Sequence, residues 1–171
     1  MAPRYQIFFV PHTNERKKLS KLRKKLCKKC KSNKALQYPV HMSFISGTKI
    51  KDYNKFEENL KTFCSNEKKL ILKTSKYTKI VKERGWSGIE IELNKELYSF
   101  RKKLRALVGK HELERRAMRF IPHITLVFPA DVSGLKKIKN PVGDLLMDRL
   151  TIAKKEKSGT PYKICKHIKI D

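Results

Sequence analysis

Two short segments of this 171-residue chain carry the same order of chemically useful side chains. One is Tyr38-Pro39-Val40-His41-Met42-Ser43-Phe44-Ile45-Ser46-Gly47, and the other is Phe120-Ile121-Pro122-His123-Ile124-Thr125-Leu126-Val127-Phe128-Pro129. Each has a proline at or near its histidine, a hydroxyl two positions after it, and apolar residues between and beyond. The β-branched and aromatic content reads as strand, and successive strand side chains point to opposite faces. His41 therefore shares a face with Ser43, and His123 with Thr125, while Val40, Met42 and Phe44 point the other way. An imidazole with an ordinary pKa of about 6.5 can take a proton while a protonated twin gives one, near neutral pH. Neighbouring hydroxyls can donate hydrogen bonds to non-bridging phosphate oxygens as charge builds on them. If the two strands face one groove, the set suits phosphoryl transfer, with acid and base on opposite sides of phosphorus.

A single histidine is more often a packed or solvated residue than a catalyst. Here the duplication favours function, whereas His12, His111 and His167 have no such context and read as structural. The chain has no Ser-His-Asp pattern, Walker loop or HExxH. Cys27 and Cys30 have metal-site spacing, but no second pair follows in the sequence. They read as free thiols on a helix, with Cys30 facing the core; neither a metal nor a cofactor is expected.

The elements that must position the two motifs follow from the patterning. Residues 5–10 read as a strand, and Pro11-His12-Thr13-Asn14 as a turn with Thr13 or Asn14 as helix N-cap. The helix continues to about residue 31, with Leu19, Leu22, Leu26 and Cys30 as its apolar stripe. The first histidine strand spans 40–46 and closes at Gly47. A second helix covers 52–64 with Tyr53, Phe56, Leu60 and Phe63 inward. A strand is expected over 69–77, a turn at Gly85-Trp86-Ser87-Gly88, and a half-exposed strand where Ile89, Ile91 and Leu93 alternate with Glu90 and Glu92. Asn94 caps a third helix with a stripe of Leu97, Phe100, Leu104, Leu107 and Val108, ending at Gly109. A basic segment, 114–119, leads into the second histidine strand. Strands over 149–155 and 162–170 form a hairpin through residues 157–161.

Strand, helix and histidine strand thus occur twice. The histidines lie 82 positions apart (123 − 41), and the same offset maps Phe8 onto Glu90. This implies two pseudo-symmetric α/β lobes around a central groove, within one compact domain spanning 1–171. The 39% hydrophobic content is globular, and 42 Lys+Arg against 16 Asp+Glu leave a net charge of +26 that favours a polyanionic partner. A solvated lysine-rich surface would give the same sum. The apolar run from Ile7 to Val10 is too short for a signal peptide or membrane span, so a cytoplasmic monomer without membrane association is expected.

At His41-Met42-Ser43-Phe44 and His123-Ile124-Thr125-Leu126 the chain resembles the 2H phosphoesterase superfamily, known for paired H-x-T/S motifs, and within it the 2'-5' RNA ligase-like RNA 2',3'-cyclic phosphodiesterases. Pro122 before the second motif is similar to that branch's P-H-x-T-L strand, and the strand at residues 4–9 and the hairpin at 159–162 are similar as well. The resemblance implies an α+β, bilobal fold with mainly antiparallel sheets. It implies opening of a terminal RNA 2',3'-cyclic phosphate to a 2'-phosphate without a metal, and 2'-5' ligation in reverse. His41 would be the proton donor, His123 the proton acceptor, and Ser43 and Thr125 the phosphate-binding hydroxyls. Relatives often carry an arginine soon after the second motif, whereas this chain continues Val127-Phe128-Pro129-Ala130-Asp131. Arg119 or a groove lysine would have to supply that charge. Trp86 and Tyr162 are the better residues for stacking on a base, Phe44 reading as core. Two alternatives stand beside this reading: a 2H-type RNA exonuclease or 2'-5' oligoadenylate phosphodiesterase, and a non-catalytic basic RNA-binding protein.

Overall fold

The computed structural model describes residues 3–113, 120–156 and 160–171. Nine strands and three α-helices are found among them: β1 (Arg4–Phe9), α1 (Thr13–Lys29), β2 (Met42–Lys49), α2 (Tyr53–Ser65), β3 (Leu70–Leu72), β4 (Lys79–Val81), β5 (Trp86–Glu90), α3 (Lys95–His111), β6 (His123–Val127), β7 (Leu145–Met147), β8 (Arg149–Lys155) and β9 (Lys163–Lys169). Seven strands form one sheet in the order β4-β5-β6-β2-β1-β8-β9, and β3 pairs with β7 in a second. Every ladder is antiparallel, which makes the fold α+β as expected.

The centre of the large sheet is the contact between the two histidine strands, where Met42 stands opposite Ile124. These residues are equivalent under the 82-residue offset, so a pseudo-twofold axis passes between them. The helices obey the same offset: α1 and α3 are each 17 residues long and begin 82 apart (95 − 13). The inner strands do not. Phe8 pairs with Ser43, and Gly88 with Thr125, so the partner of Phe8 is Gly88 and not Glu90. The path from strand to helix is two residues longer in the second lobe (95 − 88 against 13 − 8), and its extra length lets Ile91 bridge to Thr74.

Alternation divides the histidine strands as their sequences require. Val40, Met42, Phe44, Ile124 and Leu126 are buried, while His41, Ser43, His123 and Thr125 are half-buried. The helices cover the apolar face crosswise. Phe100 of α3 packs on Phe44 of β2, ring centres 5.5 Å apart, and Phe120 stacks on the same ring at 5.7 Å. Phe44 is thus core, as its sequence neighbours suggested. On the other side, Cys27 of α1 donates to the Leu126 carbonyl of β6 at 3.3 Å. Each lobe's helix therefore packs on the other lobe's histidine strand.

Several boundaries differ from expectation. Thr13 is the first residue of α1 and not its cap; His12 holds the cap position, without a side-chain cap bond. Gly47 does not close β2; with φ of 67° it forms an irregularity, and the strand runs on to Lys49. Gly109 lies inside α3, which reaches His111. The turn at 85–88 is confined to Gly85 in the left-handed region, and Trp86 already belongs to β5. Only Leu70–Leu72 of the strand expected over 69–77 forms, because the chain then turns to make β4. Cys30 packs against the core, partly buried, as expected, and Cys27, which the expected stripe did not include, is fully buried in it. The basic segment 114–119 and residues 157–159 of the hairpin loop lie outside the described residues.

The three remaining histidines have structural partners. His12 meets Asp148 at 3.3 Å, the His111 ring meets Asn59 at 3.0 Å, and His167 meets Thr151 at 2.8 Å. Burial lowers the pKa of both His111 and His167, helped by Lys55 and Lys110 at the first and by Arg149 and Arg16 at the second. The folded state thus favours the neutral rings, and the unfolded chain takes up protons first as pH falls through the ordinary histidine range. Stability should rise with pH across that window and fall on acidification. Glu57 remains ionised there, held at about 2 by its hydrogen bonds to Lys166 and Lys61. Thermal unfolding at constant ionic strength should show a lower Tm at about pH 5.5 than at about pH 7.5; an unchanged Tm would show that these rings titrate alike in both states. Gly88 generates a second prediction. A Cβ there would press on the Ile124 carbonyl and the Trp86 indole. Gly88→Ala should destabilise by about 1–3 kcal/mol in denaturant titration, as overpacked positions do, and wild-type stability would show that the β6 backbone and the indole both give way.

Candidate active site

His41 is the last residue before β2, and its Nδ1 lies 2.8 Å from the carbonyl of Pro39. A carbonyl only accepts, so Nδ1 carries the hydrogen and Nε2 is left with its lone pair. His123 repeats the arrangement, its Nδ1 2.7 Å from the carbonyl of Ile121. In both motifs the carbonyl two residues upstream fixes the tautomer and aims the reactive nitrogen. A prolyl or pre-prolyl residue holds that carbonyl, which gives the prolines of the motifs a physical role.

Each hydroxyl also has a donor from its own lobe. The side-chain amide of Gln6 on β1 donates to Ser43 Oγ at 2.8 Å and lies 3.4 Å from His41 Nε2. The indole Nε1 of Trp86 on β5 donates to Thr125 Oγ1 at 3.1 Å. Gln6 and Trp86 are pseudo-symmetric, separated by the same 80 residues (86 − 6) as Phe8 and Gly88 (88 − 8). Since both hydroxyls accept at the oxygen, their hydrogens are free to turn toward a bound anion.

The two imidazoles sit in different surroundings. His41 packs against Phe8, ring centres 4.8 Å apart, with Tyr38 at 6.5 Å. Burial lowers its pKa against the opposing pull of the Pro39 hydrogen bond, and the positive charges of Arg23 and His123 lower it further. His123 meets the Trp86 indole edge to face at 5.0 Å. It opens into a cleft of about 900 Å³ lined by Lys79, Arg84, Trp86, Glu90 and Phe128 among others. His41 opens into one of about 530 Å³ with Arg23, Lys34, Tyr38 and Phe128. Thr125 and Phe128 line both, so the clefts adjoin across the lobe boundary.

The structure therefore brings together His41, Ser43, His123, Thr125 and Trp86. Tyr162 stands farther off, its ring 6.5 Å from Tyr38 and with the Lys155 ammonium 5.6 Å above it. Arg119 lies outside the described residues. Gln6, Tyr38, Arg23 and Phe128 were not singled out from the sequence. Gln6 had a signal, as the lone amide in the apolar strand Tyr5-Gln6-Ile7-Phe8-Phe9, and Tyr38 preceded the first motif. Arg23 had none, since its helix is full of cations. Phe128, an aromatic ring 49% exposed at the junction of the clefts, offers a stacking surface. Among the described residues there is no cluster of three His, Cys, Asp or Glu placed to hold a metal, and no helix long and apolar enough to cross a membrane.

No protein-family model and no curated protein sequence matches the chain. Solved structures do match, over nearly all of both chains. E. coli LigT complexed with 3'-AMP is 12% identical, with 99% of each chain covered and a TM-score of 0.68. E. coli LigT in apo form is 14% identical over 99% of each chain, with a TM-score of 0.69. TT0787 of Thermus thermophilus is 14% identical over 98% of this chain and 97% of its own, again with a TM-score of 0.69. At this identity the likeness lies in the backbone and not in side chains. The chain has the fold of E. coli LigT and TT0787, the bilobal 2H phosphoesterase-type fold expected from its two histidine motifs.

Proposed function

We propose that this protein is a 2H phosphodiesterase that opens the 2',3'-cyclic phosphate at an RNA terminus to a 2'-phosphate. The observation that carries the proposal is the matched state of the two histidines. Each has its Nδ1 tied to the carbonyl two residues upstream, its Nε2 in the groove, and a hydroxyl beside it. His123 takes a proton from water as its oxygen attacks phosphorus. The bond from phosphorus to the 3'-oxygen breaks, and His41 gives that oxygen its proton. Ser43 and Thr125 hold the non-bridging oxygens through the hydrogens that Gln6 and Trp86 leave free. With a ribose 5'-hydroxyl in place of water, the same steps join RNA ends through a 2'-5' linkage, and their reversal cuts it. An RNA substrate also accords with the net charge of +26, and E. coli LigT, which shares the fold, has been solved with 3'-AMP, ATP and NADP+.

The decisive assay is a cyclic-phosphate-ended oligoribonucleotide in EDTA. Wild type should open the ring to a 2'-phosphate, and His41→Ala and His123→Ala should each lose at least about 100-fold in kcat/KM. Equal turnover by both variants would refute the mechanism. Cutting of internal linkages in the same assay would favour the exonuclease or 2'-5' oligoadenylate phosphodiesterase reading. Salt-sensitive RNA binding without turnover, unchanged in both variants, would favour the non-catalytic one.

The acid and base roles leave a signature in the pH profile. His41 titrates below its ordinary value of 6.5 in the free protein. As proton donor it must be protonated, so in His123→Asn, where His41 is the one motif histidine left to titrate, the remaining kcat/KM should fall on the alkaline side with this lowered pKa. Were His41 the acceptor, the same pKa would define the acidic limb instead. A log kcat/KM profile against pH, repeated with His123→Asn, separates the two assignments.

A further inference from the structure

Arg23 is 7% exposed, yet its guanidinium has no hydrogen-bond or ion-pair partner among the described residues, and its Nε is buried with nothing to donate to. It lines the His41 cleft together with Lys34 and Tyr38, and its charge is felt at His41. Arginine does not shed its proton at physiological pH, and a desolvated charge without a counter-charge is destabilising. Arg101 is buried with an unpartnered Nε as well, but of the two only Arg23 lines the cleft, where an entering anion could reach it.

The second lobe supplies an internal control. Under the offset of the helices, the counterpart of Arg23 is Arg105 (105 − 23 = 82), and Arg105 Nη1 sits 2.7 Å from Glu112 Oε2. Glu112 is itself fixed by the Thr48 hydroxyl at 2.5 Å. The position equivalent to Glu112 in the first lobe is residue 30 (112 − 82), where the chain has Cys30, a partly exposed thiol. One lobe keeps an arginine with its carboxylate; the other keeps the arginine without it and turns it toward the catalytic cleft.

We infer that Arg23 is the phosphate-binding cation on the His41 side of the groove, supplying the charge expected from the sequence of Arg119 or a groove lysine. Its planar fork suits two oxygens of one phosphate, and it reaches them from α1, a different element from either histidine motif. Binding of the anion completes the ion pair that the first lobe lacks. The assignment deepens the reading of the groove as a phosphoester site, but the subsite itself requires only a phosphate.

The test separates the two. Inorganic phosphate is titrated into the full chain at neutral pH while the ring protons of His41 and His123 are followed by NMR, for wild type, Arg23→Met and, as a charge control on the exposed face of the same helix, Lys28→Gln. Arg23→Met should weaken phosphate by about tenfold or more, the loss expected for a charge-assisted hydrogen bond, and Lys28→Gln by less than about twofold. Because an unpaired buried charge is removed, Arg23→Met should also keep or raise the wild-type Tm. A lowered Tm with unchanged phosphate affinity would make Arg23 structural and overturn the inference. If Arg23→Met does not fold, Arg23→Lys carries the test: charge without the fork should weaken phosphate about threefold or more, and unchanged affinity overturns it. With a cyclic-phosphate substrate, Arg23-dependent phosphate binding in a protein with no turnover would remove the phosphodiesterase reading and leave the subsite standing.

Discussion

Met42 stands opposite Ile124 in the middle of the large sheet, and the chemistry of the molecule depends on that one pairing. Both residues are fully buried, so their side chains must point into the core. Strand alternation then forces His41, Ser43, His123 and Thr125 onto the opposite face, and adjacency of the two strands forces them into one groove. A slip of one residue in either strand would bury an imidazole and expose Phe44 or Leu126. Register here is held by hydrophobic burial, and the polar quartet is carried along by it. The crosswise helices reinforce this, because α3 packs on β2 through Phe100 and α1 on β6 through Cys27, so neither lobe can complete its core alone.

The quartet is then tuned by groups that the two motifs do not contain. Upstream carbonyls fix both imidazole tautomers, and two N–H donors on the flanking strands fix both hydroxyl oxygens. The donors differ in kind. Gln6 leaves room for Phe8 and Tyr38 to close over His41, whereas Trp86 needs a glycine at position 88 so that its indole can lie over the strand beside His123. Lysine is abundant on the surface, and ion pairs such as Lys79 with Glu90 join exposed side chains whose net worth is small. Against that background an arginine that is buried, unpartnered and set in the wall of the His41 cleft carries information.

Much of this was legible in the sequence because it follows from periodicity. The motifs, their faces, the three helices and their stripes, the cap at Asn94, and the duplication of strand, helix and histidine strand all rest on short-range patterns. What escaped was set by tertiary contact. Trp86 sits among glycines that look like a turn, but the close approach of Gly88 to the β6 backbone is what glycine serves there. Strands β4 and β7 have three residues each, too few for a period-two signal, and exist only because partners lie alongside. Cys27 joins Cys30 at the core because α1 packs against a strand about a hundred residues away, which no helix-face count reveals. Arg23 was hidden for the same reason, one basic residue among many until burial set it apart.

Duplicated lobes pose a problem for acid–base catalysis, because the proposed reaction asks different protonation states of two like motifs. Two histidines in identical settings would share one pKa, and at any pH the fraction with one protonated and the other neutral would be limited by that symmetry. The proposed reaction needs the two states to differ. Here the motifs keep the geometry alike while the neighbours make the environments unlike: His41 lies under aromatic rings with an arginine in its cleft, and His123 faces the wider cleft beside an indole. The loss of a carboxylate at position 30, the exchange of amide for indole between positions 6 and 86, and the two-residue difference in strand-to-helix path all fall outside the histidine strands. Divergence has therefore accumulated around the histidine strands, where it lowers the proton affinity of His41 and gives its cleft a buried arginine, while the paired motifs and the Met42–Ile124 register that aligns them have been left symmetric.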